Sequence, residues 1–405
     1  MLLRQSVLDA RPSVKPVGKG ASLAALLVLA SLFCSCASSG SSGVRSSADA
    51  ALYVRADTND ITVYAPRTHV GAQIGDGLSI DATYAVDAWT GASIDVVTAA
   101  TTAIHEVRQE VNGGLGYEFK DVTISGSYRY STENDYWSNG GVLNVAVDLF
   151  ENNTTLALSI MGSMDKVGRA HDPAYLHKSQ DSLGARLTLT QVLDTKTVLS
   201  ASAELMRLTG FLASPYRAVG LGGPGLCGRA TGVAPTAPIK PSDQAPDCFW
   251  ENHPHERLRT ALAVQLRRAF GSYVSMGLGY RYYFDDWGIG SHTPTLDLSI
   301  LLGAHGTLSL AYRFYIQSRS DFYEEQYLRP VWSYRYFTRD RKMSAMSSHH
   351  AGLEYIHNFD LGQSGNAGLS LGARAGLTRF IYTEFVGLTV VDAVEATGMF
   401  GLVFR

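Results

Sequence analysis

From about residue 50 onward, apolar and polar residues alternate with a period of two rather than 3.6. Leu258, Thr260, Leu262, Val264 and Leu266 interleave with Arg257, Arg259, Ala261, Ala263, Gln265 and Arg267. The same alternation runs through residues 274–285, 296–302 and 308–317. It recurs at 78–87, 107–119, 122–131, 143–149, 183–190, 369–377 and 394–404. Neighbouring side chains of a strand point to opposite faces, so each segment carries one apolar and one polar face.

A soluble sandwich also alternates, but three features predict a membrane barrel. The runs are about 10–16 residues long, against a usual 5–6 for soluble strands and about 9–11 for a strand crossing a bilayer. The apolar face often ends in aromatics (Tyr128, Tyr130, Tyr280, Tyr282, Phe284, Phe314), as interfacial girdles do. The polar face carries Asp148, Arg186, Asp297 and Arg374 at mid-strand, which a dry core would not accept.

The connections then set the topology. Short ones fall at Gly75-Asp76, Lys120-Asp121, Asn152-Asn153, Asp194-Thr195, Gly271-Ser272, His305-Gly306 and 362–365. Longer, uneven ones fall at 57–60, 88–102, 133–134, 166–177, 211–253, 286–290, 318–347 and 382–391. Barrels of this class have short periplasmic turns, longer outside loops and an even strand number. The expected fold is therefore all-β, a transmembrane antiparallel up-and-down β-barrel of about 16 strands, with 14 or 18 left open. The barrel is expected over 51–405 with its first strand at 51–56, and 333–338 reads as a strand extension or a loop hairpin. Phe400, Leu402 and Phe404 alternate to the end, resembling the terminal strand read by outer-membrane assembly machinery, although Arg405 stands last.

The start of the chain reads as an address. Arg4, Arg11, Lys15 and Lys19 precede an apolar run over 21–33, followed by Cys34-Ser35-Cys36-Ala37 and a Ser/Gly-rich stretch. A basic start, a short apolar centre and small residues after it form a secretory signal. The apolar run is short of the roughly 20 residues of a spanning helix. Signal peptide 1–37 and linker 38–50 are expected, with lipidation of Cys36 as the alternative to cleavage after Ala37.

Composition narrows the class of function. Of 405 residues 45% are apolar and only 18% charged, and the net charge is −3, so nothing marks a nucleic-acid partner. The expected partners are outer-membrane lipids and the assembly machinery, with homo-oligomerisation left open.

Several runs resemble an uncharacterised bacterial outer-membrane family, domain of unknown function 3570. They are Tyr84-Ala85-Val86-Asp87 with Gly91-Ala92-Ser93, Ser131-Thr132-Glu133-Asn134-Asp135-Tyr136, and Asn153-Thr154-Thr155. The longest is Tyr280-Arg281-Tyr282-Tyr283-Phe284-Asp285-Asp286-Trp287-Gly288-Ile289, continuing to Ser291-His292-Thr293. Tyr312-Arg313-Phe314-Tyr315-Ile316-Gln317 with Phe322-Tyr323, and Asp340-Arg341-Lys342-Met343-Ser344, complete the set. The resemblance implies an outer-membrane barrel and no particular substrate. The Gly/Pro-rich stretch 221–247 looks like an insertion beyond the family pattern.

The inward faces offer candidate pore-lining residues: Arg129, Arg186, Arg257, Arg259, Arg267, Arg281, Arg313, Arg374, Asp81, Asp148 and Asp297. Two arrangements are open. Opposed basic and acidic walls would set a field across a water-filled lumen; alternatively, the charges pair across the lumen and merely hold the barrel's shape. Arg257, Arg259 and Arg267 share one face of one strand and are expected to bias selectivity together. The expected function is passage of small hydrophilic solutes. The alternatives are a non-conducting barrel serving as surface receptor or assembly subunit, or a hydrolase at the rim using Ser291-His292 and Asp285-Asp286. No enzyme, cofactor or metal site is expected: His253-Pro254-His255 and His349-His350 are poorly spaced for chelation. The long loop 211–253 holds Cys227 and Cys248, which an oxidising compartment would bridge, and its Gly/Pro content disfavours regular structure or a core of its own.

Overall fold

The computed structural model describes residues 43–91, 104–169, 172, 174–223, 247–361, 367–385 and 387–404. The expected signal peptide 1–37, Cys36, Cys227 and the turn at 362–365 lie outside the described residues. The first nine strands are β1 (Val44–Asp57), β2 (Thr62–Ile74), β3 (Leu78–Gly91), β4 (Ile104–Phe119), β5 (Val122–Thr132), β6 (Tyr136–Leu149), β7 (Thr154–Val167), β8 (Lys178–Asp194) and β9 (Thr197–Gly210). Two short strands follow, β10 (Ala218–Leu221) and β11 (Asp247–Trp250). The chain continues with β12 (Glu256–Phe270), β13 (Val274–Asp285), β14 (Gly290–Leu302), β15 (Gly306–Gln317), β16 (Met346–Leu361), β17 (Ala367–Tyr382) and β18 (Val390–Phe404).

All but β10 and β11 pair antiparallel with their neighbours in one closed barrel of sixteen strands. The seam runs between β1 and β18, in register from Ser46 opposite Phe404 to Asp57 opposite Ala393. Closure leaves no unpaired strand edge, which a bilayer would not tolerate. The short turns use left-handed backbone where the hairpin twist demands it: Gly75 and Gly271 stand at φ 62° and 70°.

The alternation read from sequence sets the two faces. Leu115 is 61% exposed and Leu262 47%, while Ala261, one position from Leu262, is 6% exposed. Tyr84, Tyr128, Tyr280, Tyr312 and Phe400 join the leucines on the outer surface. Such a surface needs lipid around it. The charged and polar face lines the interior.

Three expectations are corrected. β1 begins at Val44 rather than Ala51, so 44–50 is not linker: Ser46 to Ala50 pair with both β2 and β18. The long loop 211–253 is not featureless, because β10 pairs with β11 through Ala218–Trp250 and Leu221–Asp247. Val219 and Leu221 are 1% exposed and pack with Tyr327 and Phe337, so this loop does bury a core, using apolar partners from the loop after β15. Residues 333–338 form neither a strand nor a hairpin: a 3-10 turn spans Val331–Ser333, and Phe337 makes a single bridge to Asn252. A second cluster joins Trp287 and Ile289 to Tyr323, Met343, Phe385 and Leu388, tying the loop after β15 to two further loops. The long-loop end of the barrel is thus capped by packed structure.

Candidate functional site

The interior charges pair along the wall, not across it. Arg108 of β4 meets Asp87 of β3 through Nε at 3.1 Å, and Arg129 of β5 meets Glu110 of β4 at 3.5 Å. Arg186 of β8 binds Glu204 of β9 through Nε at 2.7 Å, and Arg374 of β17 binds Glu354 of β16 at 2.8 Å. Arg257 of β12 binds Asp285 of β13 through Nε at 2.9 Å. Arg267 of β12 reaches over β13 to Asp297 of β14 at 2.5 Å. The residue between them in register is Gly277, where an added Cβ would sit 2.4 Å from Asp297 Oδ1. The opposed walls and the pairing across the lumen are therefore both corrected. Facing residues on adjacent strands lie only about 5 Å apart, so neighbouring carboxylates capture the guanidiniums first.

The sequence-selected residues now separate. Arg129, Arg186, Arg257, Arg267, Arg374 and Asp297 are in ion pairs. Asp148 accepts a hydrogen bond from Thr155 Oγ1 at 2.5 Å, and Asp81 packs over Gly114. Arg259, Arg281 and Arg313 make no ion pair among the described residues. Of the three arginines expected to act together, Arg257 and Arg267 are ion-paired and Arg259 is not.

A cavity of about 340 Å³ opens at the long-loop end of this basic wall. Its lining includes Arg257, Arg259, Arg281, Tyr283, Tyr315 and Lys342. Register explains the grouping, because Ala261, Tyr283, Ser291 and Gln317 lie at one level on β12 to β15. The chain after β15 closes over that level: Gln317 Nε2 donates to Lys342 O at 2.9 Å and Ser344 O at 2.8 Å. Asp285 is fully engaged. It accepts from Arg257, from Tyr283 OH at 2.6 Å, and from the Trp287 and Ile289 amides at 3.0 Å each. The Nε of Arg259 is buried without a hydrogen-bond partner. Arg281 stacks 5.6 Å from the Tyr283 ring centroid.

The cap above the cavity is held by a buried polar network that sequence reading did not find. Glu251 accepts from Ser214 N at 2.6 Å and from Thr338 Oγ1 at 3.0 Å. Arg217 joins Asp340 at 2.9 Å and Glu251 at 3.5 Å. His253 Nδ1 donates to Leu212 O, 2.8 Å away, and its Nε2 lies 3.6 Å from Glu251. Burial alone would raise the Glu251 carboxyl, but His253 and Arg217 hold it below its ordinary value. Asp340, also buried, is lowered by Arg217 and the Lys342 amide. Burial pushes the Tyr327 hydroxyl up to about 12. Cys248 is disulfide-bonded.

The family model described as "Protein of unknown function (DUF3570)" matches residues 99–179 and 169–374. The chain belongs to this family. The DUF3570 match runs through 221–247, the stretch expected to be an insertion. No curated protein matches the chain. Among solved structures it is similar to the siderophore receptor PirA from Pseudomonas aeruginosa, at 10% identity, covering 89% of this chain and 80% of that one with a TM-score of 0.40. It is also similar to OpdK of Pseudomonas aeruginosa, at 8% identity, 89% and 99% coverage and a TM-score of 0.43. A bacterial polysaccharide outer membrane secretin matches at 9% identity, 89% and 98% coverage and a TM-score of 0.46. The chain spans about half the length of the ferric enterobactin receptors it also matches. Likeness at this level extends to the barrel alone. The DUF3570 chain is a bacterial outer-membrane β-barrel, as its closed sheet and apolar outer band require.

The remaining candidates of the DUF3570 barrel are dispersed. Ser291 is buried on the inner face, whereas His292 Nδ1 meets Tyr280 OH at 2.6 Å on the outer one. His349 lies beside Tyr312 and His350 beside Thr378, on opposite faces. His253 and His255 bind different carbonyls, those of Leu212 and Gly210. Asp286 accepts from the Leu258 amide at 2.9 Å, so this pair of aspartates fastens the β13–β14 connection.

Proposed function

We propose that the chain is a channel for small hydrophilic solutes across the outer membrane. The observation that carries this reading is the placement of interior charge. The pairs of Arg108, Arg186, Arg267 and Arg374 run from strand to strand along the wall, so these charges line the lumen without bridging it. A closed barrel of this strand number falls in the range that encloses an aqueous channel. Reconstitution of the purified protein in planar bilayers tests it, with discrete single-channel conductance as the expected result.

One observation favours a second reading. The loops form a packed cap whose clusters join four connections, which suits a surface receptor. A protein that inserts but passes no ions, even after the loops are trimmed by protease, is a receptor or assembly subunit and not a channel.

A further inference from the structure

We propose that the cavity formed by Arg259, Arg281 and Lys342 at the long-loop end of the lumen is a binding site for a compact oxyanion, a small carboxylate or phosphate. The proposal deepens the channel reading by naming the class of solute, and the site can be assayed without any current being measured.

The argument begins with charge. Four cationic side chains line one cavity: Arg257, Arg259, Arg281 and Lys342. The carboxylates within reach are already used. Glu204, at the cavity edge, is bound by Arg186. Asp285 holds Arg257 and is saturated by the Tyr283 hydroxyl and two turn amides. Arg259 stands directly opposite Asp285 in the β12–β13 register, the usual position for a cross-strand pair, yet Asp285 turns diagonally to Arg257 instead. Asp285 and Asp340 act on the Arg259 and Lys342 side chains only through space, so three cations face one cavity with no carboxylate in contact, an arrangement that a bound anion stabilises.

Over much of the wall the pattern is the reverse. Arg108, Arg129, Arg186, Arg267 and Arg374 each have a carboxylate on a nearby strand. Arg45 and Arg67 also make no ion pair among the described residues, but they share a second cavity with Asp81 and Glu110; Arg313 lies outside both, whereas Arg259, Arg281 and Lys342 share one cavity.

Geometry supplies the rest. The Arg259 Nε is buried and has no acceptor, and such a donor is costly unless a partner arrives. Guanidinium groups present paired donors that match the two oxygens of a carboxylate or phosphate. Lys342 lines the cavity from the loop side as a point charge, held there by Gln317 through the Lys342 carbonyl. Ile289, Met343 and the Tyr315 ring supply an apolar flank for the rest of an organic solute. The volume of about 340 Å³ admits a small metabolite-sized anion and no polymer.

The test uses the full-length protein, refolded in detergent micelles at low salt, titrated calorimetrically with succinate in one arm and inorganic phosphate in another. The variants are Arg259→Gln/Arg281→Gln and, as a charge-matched control away from the site, Lys120→Gln/Lys196→Gln. Folding of each is checked by heat-modifiable electrophoretic mobility. Saturable binding of either anion is expected, weakened by about tenfold or more in the double variant and unchanged in the control. Binding of succinate alone assigns a carboxylate, binding of phosphate alone a phosphate, and binding of both a general oxyanion site. Absence of saturable binding, or equal affinity in wild type and double variant, overturns the proposal. A protein that binds the anion through these arginines but never conducts retains the site and loses the channel. One that conducts with neither binding nor arginine dependence retains the channel and loses the site.

Discussion

Replacing Asp285 by Asn should be among the most damaging single changes in the barrel wall. The Asp285 side chain is fully buried and that of its partner Arg257 is 7% exposed. One oxygen accepts from Arg257 Nε at 2.9 Å, Arg257 Nη2 at 2.5 Å and Tyr283 OH at 2.6 Å. The other accepts from the Trp287 and Ile289 amides. Asn can keep the second set of contacts. Its amide must then turn two donors toward a guanidinium and a hydroxyl, leaving Arg257 a buried charge with no counter-ion. Breaking a buried pair from one side costs about 3–5 kcal/mol. Removing both charges in Arg257→Met/Asp285→Asn eliminates the orphan and should recover most of that loss. Urea unfolding in lipid vesicles, followed by tryptophan fluorescence, reads the effect directly, because Trp287 lies 4.3 Å from the Arg257 guanidinium. If the double variant is no more stable than Asp285→Asn alone, the damage does not come from an uncompensated charge, and the account of this pair is wrong.

Other expected outcomes follow from the two faces and from the cap. Leu262→Arg, on the outer face at mid-strand, should lose about 2–4 kcal/mol, while Ser299→Arg on the inner face should lose far less; equal losses in the same unfolding assay would reverse the assignment of faces. The carboxyls of Glu251 and Asp340 are held below their ordinary values, so their contribution is complete above the unfolded values of 4.5 and 3.8 and is lost as pH falls through the lower folded ones. Protease cleavage of the loops should thus stay suppressed at about pH 5 and rise only below about pH 4; opening between pH 5 and 7 would exclude these carboxylates as the lock.

The barrel was legible in the sequence because a lipid-facing strand must be apolar at every second position over its whole span. The count of sixteen followed from alternating short and long connections, a constraint local to each turn. β1 was read too short because its outer residues before Leu52 are small: Ser46, Ala48 and Ala50 carry little apolar signal. β10 and β11 were missed for a different reason. Each is four residues long and finds its partner and its core at a distance, through Tyr327 and Phe337 in another loop. The charge pairing was equally hidden. That Arg267 passes over Gly277 to Asp297, or that Asp285 favours Arg257 over the facing Arg259, depends on inter-strand register. The arginines left unpaired by those choices are the ones that define the candidate site.

The seam between β1 and β18 has a kinetic consequence. Every other contact between neighbouring barrel strands joins segments close in the chain, but the seam joins ends so distant that the Asp392 amide bonds Thr58 across a separation of 334 residues. Until those ends meet, the growing sheet carries two bare edges able to recruit foreign strands. Loop-closure entropy grows with the length closed, so this is the slowest contact to find by chance. A catalyst that holds β1 while the later strands accumulate would remove that search. Loss of either terminal strand would leave an open sheet and not a smaller pore.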